Sequence, residues 1–216
     1  MPNAVGAVVH WAARYDLLLT VLTLGRERRF RERLVRLARL SPNESVLDIG
    51  CGTGSLAMAA RRAVGSTATV AGIDASPEMI ARAHRKATRA KLTIAYEVAL
   101  AQSLPFLDET FDVVLSSVML HHLPKAARAD AMREARRVLK AGGRLLAVDF
   151  GAPSNNPGNR KGLLGHLHGH GGVDARKLLA LATDAGLSVV ESGPAGQWDL
   201  QFVLATREPS SARIED

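Results

Sequence analysis

Cysteine and aromatic residues are scarce in this sequence. Among 216 residues there is one cysteine, Cys51, and only 4% are Phe, Trp or Tyr. A single thiol excludes an internal disulfide framework and a zinc site built from several cysteines, and it is compatible with a reducing, cytoplasmic setting. Few aromatic rings are available to stack on bases. We therefore regard nucleic acid as an unfavoured partner.

A long uninterrupted apolar run is also absent. The most apolar stretch, residues 4–25, contains His10, Arg14 and Asp16, and no basic segment precedes it. A membrane-spanning helix needs about 20 consecutive, predominantly apolar residues. The stretch is therefore predicted to be a packed helix and not a signal peptide or a membrane span.

Positive charge is abundant: the formal net charge is +7 at pH 7. The segment "RERRFRERLVRLARL", residues 26–40, places Phe30, Leu34, Leu37 and Ala38 on one helical face and seven arginines on the rest. Two interpretations are open. The arginines form the solvated outer face of a packed helix, or they contact an anionic membrane surface or an acidic partner.

From residue 45 onward, apolar strand-like runs alternate with helical runs. This alternation predicts an α/β fold with a doubly wound, mainly parallel sheet. "SPEM" at Ser76 supplies an N-cap and a proline at the first helical position, and "KAGG" at 140–143 supplies a helix stop. Strands are predicted at 45–49, 69–73, 92–98, 113–117 and 144–150, and helices at 55–64, 77–90 and 125–139.

The pattern changes after residue 150. About twenty residues rich in Gly, Asn, Pro and His follow, including the alternating His166, His168 and His170. Three interpretations of these histidines remain open: a metal site, a lid that faces a substrate, and a solvated loop; our primary prediction includes no metal. A helix at 174–185 and a strand hairpin from 187–192 and 200–207 are predicted to complete the sheet edge.

"LDIGCGTG", Leu47 to Gly54, carries the strongest functional signal. It is predicted to join the first strand to the first helix of the sheet, and its three glycines permit a tight turn and a close approach of a ligand to the backbone. Dinucleotide sites use G-x-G-x-x-G, whereas this stretch is G-x-G-x-G. The spacing therefore disfavours a pyrophosphate site.

Two acids accompany this turn. Asp74 ends the second predicted strand, where a carboxylate can accept the hydroxyl groups of a ribose. Asp48 adds negative charge beside the glycines, which repels phosphate and suits a cationic ligand. A ribose with a positive charge and no phosphate describes S-adenosylmethionine.

Four segments between about residues 40 and 150 resemble, in this order, those of a class I S-adenosylmethionine-dependent methyltransferase. They are "VLDIGCGTG", "GIDASPEMI", "SLPFLDETFDVV" and "RVLKAGGRL". The resemblance implies a seven-stranded sheet with an antiparallel last strand and S-adenosylmethionine as the cofactor. Asp48 and Cys51 lie within the cofactor turn. The other cofactor-binding positions that the resemblance implies are Gly50, Gly52, Gly54, Asp74, Ala75 and Met79.

The segment "YDLLLTVLTLGRERRFRERLV" is similar to the N-terminal signature of quinone-biosynthesis methyltransferases, although Leu19 replaces their usual Asn. Bacterial phospholipid N-methyltransferases show a comparable overall resemblance. Relatives also carry an acid that bonds the adenine amino group, and here Leu100 stands at that position. Adenine recognition is therefore expected to use backbone groups near Ala101, the side chain of Gln102, or apolar contact.

"VMLHHLP", residues 118–124, follows the fourth strand and is predicted to line the pocket mouth. His121 or His122 would serve as a general base if the acceptor must lose a proton, because the pKa of histidine lies near neutral pH. A structural role for the pair is the alternative interpretation.

These observations favour an S-adenosylmethionine-dependent methyltransferase that acts on a small or lipophilic metabolite, quinone-like or phospholipid-like. A nucleic-acid methyltransferase and a non-catalytic cofactor-binding protein are the alternatives. We expect a cytoplasmic location, with possible peripheral contact between an anionic membrane and the Arg-rich helix. The predicted organisation is a helical cap at 1–40, the methyltransferase domain at 41–207 and a flexible tail at 208–216.

Overall fold

The structure, a computed structural model, describes residues 27–150, 175–196 and 199–209. Seven strands form one sheet in the order β3-β2-β1-β4-β5-β7-β6. Parallel pairing connects β3 through β5, and β7 runs antiparallel to both β5 and β6. The strands are β1 (Val46–Ile49), β2 (Val70–Asp74), β3 (Ala95–Val98), β4 (Phe111–Ser117), β5 (Leu139–Phe150), β6 (Ser188–Pro194) and β7 (Leu200–Thr206).

Helices cover both faces of this sheet. Successive side chains along each strand point to opposite faces, so that each face carries its own apolar core, which the helices bury. One core receives helices α1, α2 and α3, and the other receives α4 and α5. The helices are α1 (Glu27–Leu37), α2 (Ser55–Val64), α3 (Pro77–Arg89), α4 (Lys125–Val138) and α5 (Ala175–Asp184), and a short 3₁₀ helix covers Leu120–His122.

The predicted fold class is confirmed: the sheet is doubly wound, mainly parallel and seven-stranded. The predicted hairpin is present as β6 and β7. Strand β7 lies between β5 and β6, and β6 forms the edge of the sheet. Ser76 caps α3, since its side chain accepts the backbone N–H of Met79 at 3.3 Å. Because β1 pairs in parallel with β2 and with β4, the carboxyl ends of these three strands meet at one edge of the sheet. Ligands of such folds bind at this edge.

The start of β5 differs from the prediction. We expected a helix to Leu139 and a strand from Arg144, but α4 ends at Val138 and the strand begins immediately. Leu139 pairs with Phe111, and a register shift follows. Gly142, at φ 76°, lets the strand accommodate this irregularity, while its N–H donates to the carbonyl of Arg207 at 2.8 Å.

The Arg-rich helix α1 packs its apolar face inward. Phe30 and Leu34 are buried in the first core. Arg33 donates to the carbonyl of Pro194, and Arg39 pairs with Glu191 at 2.8 Å. Arg33 in the helix and Arg39 just beyond its end thus attach this segment to the β6 side of the sheet, in addition to its apolar contacts.

Several predictions lie outside the described residues. They are the first predicted helix at 4–25, the long loop with His166, His168 and His170, and most of the predicted tail. The division into cap, domain and tail stays a prediction. None of the helices within the described ranges is both long enough and apolar enough to cross a membrane.

Candidate functional site

The glycine turn lies between β1 and α2, and its three glycines have different surroundings. Gly50, Gly52 and Gly54 have φ values of 69°, 53° and 78°, in the left-handed region. A Cβ at Gly50 would lie 2.2 Å from Met119 Cγ, and one at Gly54 would lie 2.3 Å from the Tyr96 hydroxyl oxygen. A Cβ at Gly52 would meet nothing within 4 Å. Gly50 and Gly54 therefore permit close packing, whereas Gly52 has open space beside it for a ligand.

Asp74 connects this turn to the start of α3. Its Oδ2 accepts the backbone N–H of Gly52, and its Oδ1 accepts that of Ser76, both at 2.9 Å. Burial raises the pKa of Asp74, although these two hydrogen bonds oppose the shift. Each carboxylate oxygen can accept more than one hydrogen bond, so the predicted role toward ribose hydroxyls is compatible with this geometry.

Asp48 is fully buried beneath the turn. Its Oδ2 accepts the backbone N–H of Ala57 at 3.0 Å, which satisfies one of the unpaired donors of α2. Burial raises the pKa of Asp48 to about 7, while the Arg31 guanidinium and the Ala57 hydrogen bond oppose the shift. We expected negative charge here. Burial makes that charge more costly than at the surface, because desolvation disfavours the ionised form.

The Cys51 side chain points into the packed interior. Its thiol lies 3.7 Å from the carbonyl oxygen of Gly52 and belongs to the same core cluster as Tyr96. Burial raises the pKa of the Cys51 thiol well above its usual range, so the sulfur is neutral and unsuited to nucleophilic chemistry. Any contact between Cys51 and a cofactor would therefore use its backbone.

Two side chains from neighbouring elements support the turn, and the sequence did not identify either one. The Tyr96 hydroxyl on β3 donates to the Gly54 carbonyl at 3.2 Å. The Lys86 ammonium on α3 donates to Thr53 Oγ1 at 2.9 Å and to Ser55 Oγ at 2.7 Å. The apolar pattern of β3 and the helical spacing of α3 indicate only that Tyr96 and Lys86 face a neighbouring layer. They do not indicate that either residue contacts the glycine turn.

The predicted adenine residues lie around the carboxyl ends of β2 and β3. Ala75 is exposed, and Met79 and Ala101 are buried. Leu100, at the position where the resemblance predicts an acid, is 46% exposed. Gln102 Oε1 is buried and has no hydrogen-bond partner among the described residues. An adenine amino group would supply the donor that this oxygen lacks.

His121 is held by the carboxylate of Asp149, which was not among the predicted site residues. Its Nδ1 lies 2.7 Å from Oδ1 of Asp149, its backbone N–H donates to Asp149 Oδ2 at 3.1 Å, and Asp149 is fully buried. The Phe150 N–H also donates to Asp149 Oδ1 at 2.8 Å. An acid at the carboxyl end of a parallel strand is a usable sequence signal, and "AVDF" contained it.

The two histidines of the pair differ in environment. The side chain of His121 is 6% exposed, whereas His122 is exposed, and their ring centroids lie 3.8 Å apart. Met119, two residues earlier, is the residue that a Cβ at Gly50 would strike. Met119 thus places the segment before His121 against the glycine turn, and Asp149 gives His121 a buried acidic partner. The catalytic role of the two histidines stays a prediction.

The end of β4 is polar and strained. Ser116 Oγ and Ser117 Oγ are buried and have no hydrogen-bond partner among the residues described. Val118, a β-branched residue, has φ 56°. Such a conformation is costly for valine and is concentrated at functional sites.

These features fit S-adenosylmethionine. The turn leaves open space at Gly52, Asp74 lies beside it, and an unsatisfied acceptor is present at Gln102.

In the described part of the chain, no group of three or more potential metal ligands is found.

Comparisons with known proteins agree with this fit. Residues 46–143 match the family model described as a methyltransferase domain. A demethylmenaquinone methyltransferase from Thermus thermophilus is 41% identical over 143 residues, 66% of this chain and 63% of that protein. A ubiquinone/menaquinone biosynthesis C-methyltransferase from Geotalea daltonii is 32% identical over 144 residues, 66% of this chain and 60% of that protein.

The fold has a counterpart among solved structures. A crystal structure of an S-adenosylmethionine-dependent methyltransferase from Aquifex aeolicus matches with a TM-score of 0.74 and 21% identity, over 91% of this chain and 98% of that chain. The chain spans about three fifths of the length of the curated relatives that it matches. The family model and the two curated relatives confirm the methyltransferase resemblance, and the solved structure confirms the fold that the sequence motifs predicted.

Proposed function

Because the chain carries a methyltransferase domain on the class I S-adenosylmethionine-dependent fold, we propose that it methylates a small, lipophilic, quinone-like metabolite. The names of the two curated relatives suggest this acceptor class. The observation that carries the proposal of catalysis is the His121–Asp149 pair, since cofactor binding alone has no need of a buried, oriented base.

The residues around the glycine turn would hold the cofactor. Asp74 would accept ribose hydroxyls, Gln102 would accept the adenine amino group, and Gly52 would allow the ligand to approach the backbone. When bound, S-adenosylmethionine supplies an electrophilic methyl group on its sulfonium. The protein must then position the acceptor, and positioning alone contributes much of the rate in such reactions.

Asp149 determines how His121 can act. A hydrogen bond from Nδ1–H to the carboxylate fixes the tautomer, so Nε2 is the nitrogen that can take a proton. Asp149 would also stabilise the imidazolium formed after proton transfer. Asp149 is itself fixed by the N–H groups of His121 and Phe150.

A base at this position suits an acceptor that becomes nucleophilic by losing a proton. A hydroquinone is such an acceptor, because removal of a hydroxyl proton increases electron density on both its oxygen and its ring carbons. We therefore propose a hydroxylated ring as substrate, with His121 as the general base and Asp149 as its positioning residue.

Peripheral membrane contact belongs to this proposal, since lipophilic acceptors partition into bilayers. The apolar face of α1 is buried in the protein, so contact through α1 would be electrostatic and would use its exposed arginines. Arg29 and Arg36 are exposed. Binding to anionic vesicles that weakens as salt increases would support this part of the proposal.

The decisive experiment is methyl transfer from S-adenosylmethionine carrying a labelled methyl group to reduced, short-chain demethylmenaquinone in detergent micelles. We expect a labelled, methylated hydroquinone as the product. His121→Ala should lower turnover at least tenfold while cofactor affinity stays within about twofold, and Asp149→Asn should lower turnover by a similar factor. Unchanged turnover in His121→Ala would contradict the assignment of the base.

A second arm separates the alternatives. The same labelled donor is added to a cell extract, and lipid, other metabolite and RNA fractions are analysed. Label confined to RNA would contradict the proposed substrate class. Tight cofactor binding with no labelled product in any fraction would favour a non-catalytic binding protein.

A further inference from the structure

The loop between β3 and β4, residues 99–110, carries Gln102 and is fixed on both sides of that residue. On one side, the backbone N–H of Ala99 donates to the last carbonyl of β2 at 3.1 Å. Leu100 then forms an isolated antiparallel bridge with Ser103, whose N–H donates to the Leu100 carbonyl at 3.1 Å. Gln102 therefore lies in a short turn whose first side is attached to the carboxyl edge of the sheet.

The other side of this turn is fixed by an ion pair on α4. Both backbone groups of Leu104 are engaged: its N–H donates to Glu134 Oε2 at 2.7 Å, and its carbonyl accepts from Arg137 Nη2 at 3.1 Å. Arg137 Nη1 also donates to the carbonyl of Phe106 at 2.8 Å and to Asp108 Oδ1 at 2.7 Å. The Glu134–Arg137 pair therefore holds the loop at several successive points that begin just after Gln102.

The two side chains of this pair are matched in geometry and in charge. Arg137 Nε donates to Glu134 Oε1 at 2.7 Å and Nη2 donates to Oε2 at 2.8 Å, which is a bidentate arrangement. The hydrogen bond from Arg137 lowers the pKa of Glu134, and the Leu104 N–H adds to the shift. Both side chains are partly buried, at 21% and 30% exposure. Bidentate geometry within a network is the case in which a partly exposed ion pair contributes to structure.

Leu100 makes the position of this loop more important for the ligand. The family resemblance predicts an acid at position 100 that bonds adenine, and the side chain of Leu100 cannot accept a hydrogen bond. Under the proposed function, the adenine amino group pairs with Gln102 Oε1, which is buried without a partner among the described residues. If the loop were not already ordered, the ligand would have to supply the cost of ordering it. Adenine recognition therefore depends on what fixes the loop beside Gln102.

We infer that Glu134 and Arg137 are positioning residues for adenine recognition, because they hold the 99–110 loop so that Gln102 meets the adenine amino group. They act through Gln102 and not by contact with the ligand. The inference rests on the proposed function, since it assumes that the adenine of the cofactor lies at Gln102. It makes the affinity for the cofactor depend on an ion pair of α4 that lies outside the binding site.

The test compares two ligands by isothermal titration calorimetry. One is S-adenosylhomocysteine, and the other is its 6-deamino analogue, in which a hydrogen atom replaces the amino group of adenine. The unaltered protein should bind S-adenosylhomocysteine about tenfold more tightly, because the analogue leaves a buried acceptor unsatisfied. Arg137→Met should weaken S-adenosylhomocysteine about tenfold and the analogue less than about threefold. The preference for the amino group should therefore fall to about threefold or less.

Two further variants sharpen the comparison. Glu134→Gln keeps an oxygen for the Leu104 N–H but loses the charge opposite Arg137, so it should retain part of the preference. Arg133→Met is the matched control, since it removes an arginine of the same helix that pairs with Asp130 and is 62% exposed. Both affinities should be unchanged in this control. Urea denaturation of each variant separates a loss of stability from the change in ligand preference.

Each other outcome overturns the inference. Equal losses for both ligands in Arg137→Met would show that the pair supports the fold alone, and unchanged affinities would show that the loop is ordered without it. If Arg137→Met fails to fold, the same comparison in Glu134→Ala decides. If the unaltered protein binds both ligands equally, the inference fails while the cofactor assignment stands. If it binds neither ligand, the cofactor assignment of the proposed function fails as well.

Discussion

The two edges of the sheet satisfy their buried polar groups to different degrees. At the carboxyl edge, Arg31 Nε, Gln102 Oε1, Ser116 Oγ and Ser117 Oγ are buried without partners among the described residues. At the opposite edge, Arg144 donates to Glu44 and to the carbonyls of Ala38 and Arg39, and Asp112 accepts from Ser45 and Lys140.

This difference indicates how stability and binding are divided in the fold. Buried polar groups in folded proteins are nearly always hydrogen-bonded, and each exception needs a reason. Here the described exceptions surround the glycine turn, where a ligand can supply the missing partners. The polar contacts at the opposite edge hold the sheet together, whereas several buried polar atoms at the carboxyl edge are left for a ligand to satisfy.

The largest effect should come from a methyl group added to the packed side of the turn. Gly54→Ala would place Cβ 2.3 Å from the Tyr96 hydroxyl oxygen at a φ of 78°. We expect the free energy of unfolding to fall by about 3 kcal/mol or more, since left-handed strain and overpacking add. Urea denaturation followed by circular dichroism measures it.

The matched control for Gly54→Ala lies at the opposite edge. Gly142 has a nearly equal φ of 76°, and a Cβ there would meet nothing within 4 Å. Gly142→Ala should therefore cost only the conformational strain, about 1–2 kcal/mol. Equal losses in the two variants would show that packing against Tyr96 contributes nothing to the requirement for glycine.

The next effect should separate stability from binding. Arg144→Met removes donors to Glu44 at 2.8 and 2.7 Å and to two carbonyls. We expect the free energy of unfolding to fall by about 2 kcal/mol, because the partly buried Glu44 carboxylate and the Ala38 carbonyl lose their donor. Affinity for S-adenosylhomocysteine, measured by calorimetry, should stay within about twofold. A parallel loss of affinity would show that the two edges are not independent.

At Asp48 we expect a substitution to raise the free energy of unfolding, whereas the substitutions above lower it. Its folded pKa of about 7 exceeds that of the unfolded chain, so the native state keeps a proton that the unfolded state releases above about pH 4. The free energy of unfolding therefore falls as pH rises from about 4 to 7. Asp48→Asn keeps an oxygen acceptor for the Ala57 N–H and removes this fall.

We expect Asp48→Asn to raise the free energy of unfolding at pH 8 and to change it much less at pH 4, without ligand. Affinity for S-adenosylhomocysteine should decrease, because the variant cannot carry a negative charge toward an ammonium group. Denaturation at both pH values and calorimetry at pH 8 measure the two effects. A destabilised variant at pH 8 would contradict the raised pKa.

The sequence was sufficient for the scaffold because its signals are local. Apolar runs, the cap at Ser76 and the glycine spacing at 50–54 each reflect the conformation of a few neighbouring residues. They identified the sheet, the turn and the acid at Asp74. The start of β5 was misplaced because a bulge at Gly142 resembles a helix stop in sequence.

The missed site residues depend on contacts between distant segments. Asp149 is 28 residues from His121, and Tyr96 is 42 residues from Gly54. Nothing in the local pattern tells which residues across the sheet will meet. The raised pKa of Asp48 is also a property of packing, since burial and not sequence context causes it.

The smallest expected change in the free energy of unfolding comes from removing one serine hydroxyl at each edge of the sheet. Ser45 lies at the paired edge, where its Oγ donates to Asp112 Oδ2 at 2.6 Å and accepts the Asp112 N–H at 3.1 Å. Ser45→Ala should lower the free energy of unfolding by about 1–2 kcal/mol, because a charge-assisted hydrogen bond is lost.

Ser116→Ala removes the same hydroxyl group at the other end of the neighbouring strand, where it has no described partner. Since removing an unsatisfied polar group also removes its desolvation cost, we expect a change of less than about 0.5 kcal/mol or a small gain. Thermal denaturation of both variants in one buffer, without ligand, measures the difference. If Ser116→Ala destabilises as much as Ser45→Ala, the Ser116 hydroxyl is already satisfied in the unliganded protein. The carboxyl edge would then be less prepared for a ligand than its unpaired atoms indicate.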